Sequence, residues 1–185
     1  KIAKSLNQEE QNCLQLHYLY AMNKDYNLKE VVLAAFEQFM TIEESDAEKR
    51  PAPGKWSAKE IIGHLIDSAA NNQGRFVRAQ NSNDLIGVEY NQDEWVTAQN
   101  YQGENWHDLI ILWRQFNLHL AHVMNQTPDD IRTMERTNHN LHVIAYNPVP
   151  ENEHATLDYF MQDYVVHLKH HLGQVREVLA MGDKE

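Results

Sequence analysis

Histidine is the residue this chain carries in excess, at eleven of 185 positions. Neutral imidazole is the usual nitrogen ligand for borderline divalent metals, so the first question is whether some of these rings converge. His167 and His171 stand four apart, which on a helix sets two imidazoles one above the other, close enough to share an ion. His64 is the lone histidine of its own segment. Three imidazoles on one ion leave coordination positions for water or substrate, the arrangement of catalytic rather than structural sites. Asp67, three residues after His64, and Gln174, three after His171, are candidates to orient those ligands from behind. Each feature has a plainer alternative: a pair of hydrogen-bonded histidines on a helix shoulder, and a carboxylate that merely solvates its helix. Arg75 and Arg78 read as surface charges. The single cysteine, Cys13, permits neither an internal disulfide nor a CxxC or thiolate zinc motif, and it reads as a small hydrophobe. No HEXXH glutamate is present, so peptidase-type hydrolysis lacks its usual base.

These side chains have to be carried by helices. Seven Gly and five Pro cluster between stretches of helical period, and period-2 alternation is nowhere sustained, so the chain reads as all-α. Ser5 to Lys24 reads as an additional N-terminal helix, with Asn7 and Glu10 at capping-box spacing. A second helix starts after Asn27, with Asn27 and Glu30 at the same spacing, carries Val31, Val32, Ala35, Phe36 and Phe39 on one face, and runs into the charged segment that Pro51 and Pro53 end. Ser57 and Glu60 form the strongest start signal, with Trp56 placed to staple onto Ile61, and open a helix over 58–79. An acidic, aromatic-bearing connection (Asn83 to Gly103) leads to a helix over about 104–126 with Trp106, Leu109, Ile110, Trp113, Phe116, Leu120 and Met124 in one stripe. After an irregular stretch over 129–153, Thr156 caps a last helix that runs to about Met181.

At about 100° per residue, the direction of each helical histidine follows from its number. On the last helix His171 falls within roughly 50° of the apolar direction and His167 about 90° from it, while His170 points roughly 150° away. His107, His119 and His122 fall outside their apolar stripe and read as solvated. His64 lies on the shoulder of its stripe. If the helices over 58–79 and 157–181 are neighbours, His64, His167 and His171 can meet.

Sixteen Lys and Arg against twenty-seven Asp and Glu leave a formal net charge of −11, and Asn83 to Asp108 holds six acidic residues and no Lys or Arg. Such a field repels phosphate, so nucleic acid is excluded as the main partner. No apolar run approaches the roughly 18 residues a spanning helix needs, and the N-terminus shows no basic-then-apolar signal pattern; the expectation is a cytoplasmic protein that does not engage membranes.

Two segments together resemble a known family. Lys55-Trp56-Ser57-Ala58-Lys59-Glu60-Ile61-Ile62-Gly63-His64-Leu65-Ile66-Asp67 is similar to the second-helix motif of the DinB/YfiT-like superfamily. His167-Leu168-Lys169-His170-His171-Leu172-Gly173-Gln174-Val175 is similar to its last-helix HxxHHxxQ motif. The connection with Tyr90-Asn91-Gln92-Asp93-Glu94-Trp95 and Gln99-Asn100-Tyr101 adds to the likeness, which covers roughly residues 28–182. The resemblance implies a DinB/YfiT-like four-helix bundle over 28–185 with a long crossover, residues 1–27 standing as an extension. It implies a divalent metal, zinc, nickel or iron, on His64, His167 and His171, and in many members a homodimer. It implies a small-molecule substrate and either transfer chemistry with a low-molecular-weight thiol as co-substrate or metal-dependent hydrolysis. A reading of another class stays open: a bundle that binds a ligand or metal without turnover.

Overall fold

The reciprocal cap at Ser57 forms as its spacing predicts: the Ser57 hydroxyl accepts from the Glu60 N–H, and the Glu60 carboxylate accepts from the Ser57 N–H at 2.9 Å. The Ser57 hydroxyl also donates to Gln102 at 2.6 Å, tying the helix start to the crossover. In this computed structural model, which describes residues 24–182, the chain folds into helices without a β-sheet. The elements are α1 (Leu28–Phe39), α2 (Glu44–Ala47), α3 (Ala58–Ala79), α4 (Gln92–Gln99), α5 (Trp106–Gln126), α6 (Asp129–Thr133), α7 (Leu141–Ile144) and α8 (Leu157–Gly182). Most of the N-terminal helix expected over 5–24, and Cys13 with it, lies outside the described residues. None of the described helices is long and apolar enough to cross a membrane.

Four long helices make the bundle, with α1 against α5, α5 against α3, α3 against α8, and α8 closing on α1. α3 and α8 run antiparallel, since His64 meets His171 at one end of the pair and Phe76 meets Phe160 at the other. The core follows most of the stripes read from the period: Val32, Ala35 and Phe39 of α1, Ile61, Leu65 and Phe76 of α3, Trp106, Ile110, Trp113, Leu120 and Met124 of α5, and Leu157, Met161, Leu168 and Val175 of α8 are buried, while Val31, Phe36 and Phe116 are only partly so. Thr156 caps α8 through the Tyr159 N–H at 3.1 Å, as expected.

Several boundaries differ from expectation, each for a tertiary reason. Asn27 does precede α1, but with φ 63° and no side-chain cap bond; the Asp25 carboxylate accepts the Lys29 N–H instead. α1 stops at Phe39 rather than running toward Pro51, because the Trp106 indole donates to the Phe39 carbonyl at 2.9 Å and His107 Nε2 lies 3.2 Å from the Met40 carbonyl. Helix-end carbonyls satisfied from another helix need no further turn. His107 is therefore engaged and only half-exposed, whereas His119 and His122 are exposed as expected. The connection over 83–103 holds α4, capped by the Asn91 side chain, and the stretch over 129–153 holds α6 and α7.

Ser57→Ala removes both the cap and the Gln102 bond, and is expected to cost about 1–2 kcal/mol, read as a lower urea midpoint with an unchanged slope. An unchanged midpoint would show that Glu60 and Arg50, which pair at 2.6 Å, hold the helix start unaided.

Candidate functional site

Packing α3 on α8 brings His64, His167 and His171 together. His64 Nε2 and His167 Nε2 stand 3.3 Å apart, and one nitrogen from each of the three rings fits within a span of 4.8 Å. Ring centroids are 5.2 Å apart for His64 and His167, 4.7 Å for His64 and His171, and 4.5 Å for His167 and His171. The ring of Trp56, just before α3, lies 5.4 Å from that of His64 and is tilted 37° to it.

The surroundings keep these rings neutral. Burial pushes His64 down to about 3, with repulsion from His171 adding to it. Burial, and then the three neighbouring histidines, push His167 down to about 2. His171 is also lowered by burial, against its hydrogen bond to Gln174, which favours its charged form. Gln174 Oε1 lies 2.7 Å from His171 Nδ1, and Gln174 Nε2 lies 3.1 Å from His170 Nε2. An amide oxygen only accepts, so His171 carries its proton on Nδ1 and presents a bare Nε2. His167 Nδ1 is 3.5 Å from the Ser68 hydroxyl, and His64 Nδ1 is buried without a partner. Two nitrogens on a tetrahedral zinc at roughly 2.0–2.1 Å stand about 3.3–3.4 Å apart. The His64–His167 separation matches that figure, and neutral imidazole is the donor such an ion takes, so the residues fit a borderline divalent metal.

Asp67 neither solvates its helix nor bonds an imidazole. It is 3% exposed, and its Oδ1 accepts from Gln99 Nε2 and the Tyr101 hydroxyl, both at 2.7 Å. Burial raises its pKa against these two bonds, and its Oδ2 is buried without a partner. Its place is to lock the crossover onto α3 beside the histidines.

A cavity of about 380 Å³ opens from the rings of His64 and His167 and runs along α3 past Ser68, Asn72 and Arg75, with Tyr90, Tyr146, Asp163 and Tyr164 on its other walls. Its size is that of a small-molecule site. Arg75 is a correction: it is 7% exposed rather than a surface charge, with Nη2 donating to the Val88 carbonyl at 2.5 Å. Its signal was present in the numbering, since His64, Ser68, Asn72 and Arg75 fall within roughly 80° of one another on a helical wheel. That polar stripe on a largely buried helix marks the cavity wall. Asp163 on α8 had no such cue; its carboxylate accepts from the N–H groups of Tyr146 and Asn147 and from the Asn147 amide.

The family model described as the DinB superfamily matches residues 29–175. The fold is similar to that of YfiT from Bacillus subtilis, with a TM-score of 0.66 and 18% sequence identity over 96% of this chain and 90% of that one. YfiT is described as a probable metal-dependent hydrolase with an unusual four-helix bundle topology. No curated protein matches the chain.

Proposed function

This chain belongs to the DinB superfamily, and on that premise we propose that it is a divalent-metal-dependent enzyme acting on a small molecule, with His64, His167 and His171 as the ligands. The observation that carries the reading is that three neutral imidazoles from two helices meet within 4.8 Å, two of them on the wall of a 380 Å³ cavity. A zinc, nickel or iron ion held there supplies Lewis acidity, which lowers the pKa of a thiol or water that meets it. The chain's own residues do the rest. Gln174 holds the His171 proton on Nδ1, Trp56 lies beside His64, and the cavity binds the reactant beside the rings.

Of the chemistries available, transfer to a low-molecular-weight thiol is favoured, because a thiol gives up its proton far more readily than water does and so asks less of a protein base. The Asp163 carboxylate on the cavity wall is engaged by backbone and amide donors and Asp67 is bonded to the crossover, which leaves Glu89 as the other carboxylate on that wall. Hydrolysis is the second reading, supported by the description of YfiT. A homodimer belongs to the proposal through the family resemblance, and a cytoplasmic setting as the expectation already drawn from the residues.

The test is a screen of zinc- and nickel-loaded protein with thiols plus a chloronitroarene electrophile, and with activated esters alone. Thiol-dependent turnover abolished by chelator supports transfer, and ester cleavage without thiol moves the reading to a hydrolase. Stoichiometric metal with no turnover on either panel moves it to a non-catalytic binding bundle. Gln174→Leu keeps the volume and removes the acceptor, so zinc affinity should fall roughly 10–100-fold while saturating zinc still restores full occupancy. Competition with a chromogenic chelator reads this, and an unaltered affinity would deny Gln174 its orienting part.

A further inference from the structure

Among the described residues, Arg75 is the only Lys or Arg lining the cavity. A guanidinium offers five N–H donors in a planar fork, and here the bonded ones go to neutral acceptors: the Val88 carbonyl at 2.5 Å and Asn72 Oδ1 at 3.3 Å. Nε is buried without a partner, and no carboxylate stands within ion-pair distance of Arg75 among the described residues. A buried cation with no carboxylate at ion-pair distance is costly, and an anionic ligand that contacts it directly relieves part of that cost. The Tyr90 ring lies 5.9 Å from the guanidinium carbon and helps hold it on the wall. Burial lowers the Arg75 pKa, against weaker favourable interactions with Tyr90 and Glu89.

We propose that the cavity takes an elongated small molecule bearing one carboxylate, which Arg75 receives while the opposite end lies at the histidines. This rests on the reading of that cavity as the substrate site. Eleven residues separate His64 from Arg75, about 16 Å of helix rise, and the arginine stem leans back toward the helix N-terminus. The ligand is therefore several carbons long. A monoanion fits better than phosphate, because one guanidinium balances one charge and the Asp163 and Glu89 carboxylates on the same walls oppose a second. Carboxylate and guanidinium also match as planar, bidentate partners.

The experiment is calorimetric titration of the full chain, zinc-loaded and metal-free, with hexanoate, its uncharged isostere hexanamide, and inorganic phosphate, with zinc content measured on the same samples. Hexanoate should bind tighter than hexanamide by roughly tenfold or more in both forms, and phosphate should not displace it. Arg75→Met should abolish that preference with zinc content unchanged, and Arg75→Lys should keep part of it. Equal binding of hexanoate and hexanamide to the wild-type chain overturns the proposal without recourse to any variant. So does absent hexanoate binding, a preference that survives Arg75→Met, or phosphate winning the competition. Failure of the metal reading looks different: no zinc in the wild-type chain, with the Arg75-dependent preference intact in the metal-free protein.

Discussion

His171→Ala is expected to reduce the metal content of the purified protein from near one ion per chain to near none, and His64→Ala to do the same. The reason lies in the division of donors: α3 supplies one imidazole and α8 two, so either change leaves at most two protein nitrogens for the ion. Removing a group that only orients a ligand costs roughly 10–100-fold in affinity, and removing the ligand itself should cost more than that. His170→Ala is the control, because His170 is exposed, points a nitrogen at the Gln174 amide nitrogen and lies beside the His171 and Tyr146 rings, outside the three-histidine cluster. It should retain the full metal content. Stability gives a second reading of the same prediction. Zinc at about 100 times its dissociation constant stabilises a folded state by roughly 2.7 kcal/mol, which for a chain of this length is a rise in Tm of about 5–10 °C. That rise should appear in the wild-type and His170→Ala proteins and be absent from the other two. Elemental analysis on protein without a polyhistidine tag decides the stoichiometry, and unchanged metal in His64→Ala or His171→Ala would sink the ligand assignment.

What was legible in the sequence, and what was not, follows from how local each determinant is. α3 and α8 start where Ser57 and Thr156 place them, because a cap is a bond between residues three apart. The meeting of His64, His167 and His171 was legible as directions on two wheels; that the two helices are neighbours came from the family resemblance rather than from any one residue. The end of α1 was not legible, since the donor that takes the Phe39 carbonyl is the Trp106 indole on another helix. Arg75 was misread for a related reason. Nothing next to it in sequence says that the backbone of Val88 will cross above it, and an arginine on a helix is exposed unless something covers it. Asp67 was misread because its partners, Gln99 and Tyr101, come from the crossover.

Two glycines in the motifs should respond to alanine in opposite directions. A Cβ at Gly63 would stand 2.1 Å from Tyr101 Cδ2 and 2.2 Å from its Cγ, inside the ring rather than against the end of a mobile chain. A Cβ at Gly173 meets nothing within 4 Å. Both positions lie inside helices, where alanine is favoured over glycine by about 1 kcal/mol when nothing obstructs it. Gly173→Ala should therefore stabilise the protein by roughly 0.5–1 kcal/mol. Gly63→Ala gains the same helical term but forces Tyr101, which is 5% exposed, out of its packing, an overpacking cost of about 3 kcal/mol that leaves a net loss near 2. The separation between the two variants is then about 3 kcal/mol, measurable as urea midpoints on one day with one protein preparation. The displaced ring also carries the hydroxyl that donates to Asp67 at 2.7 Å. Gly63→Ala should thus loosen the crossover from α3 one turn from His64, and amide exchange over residues 99–103 should quicken with it. If Gly63→Ala proves as stable as Gly173→Ala, Tyr101 has room to move aside and Gly63 is not what seats the crossover. If the two differ as expected, the small residue beside His64 is explained by the tyrosine it admits.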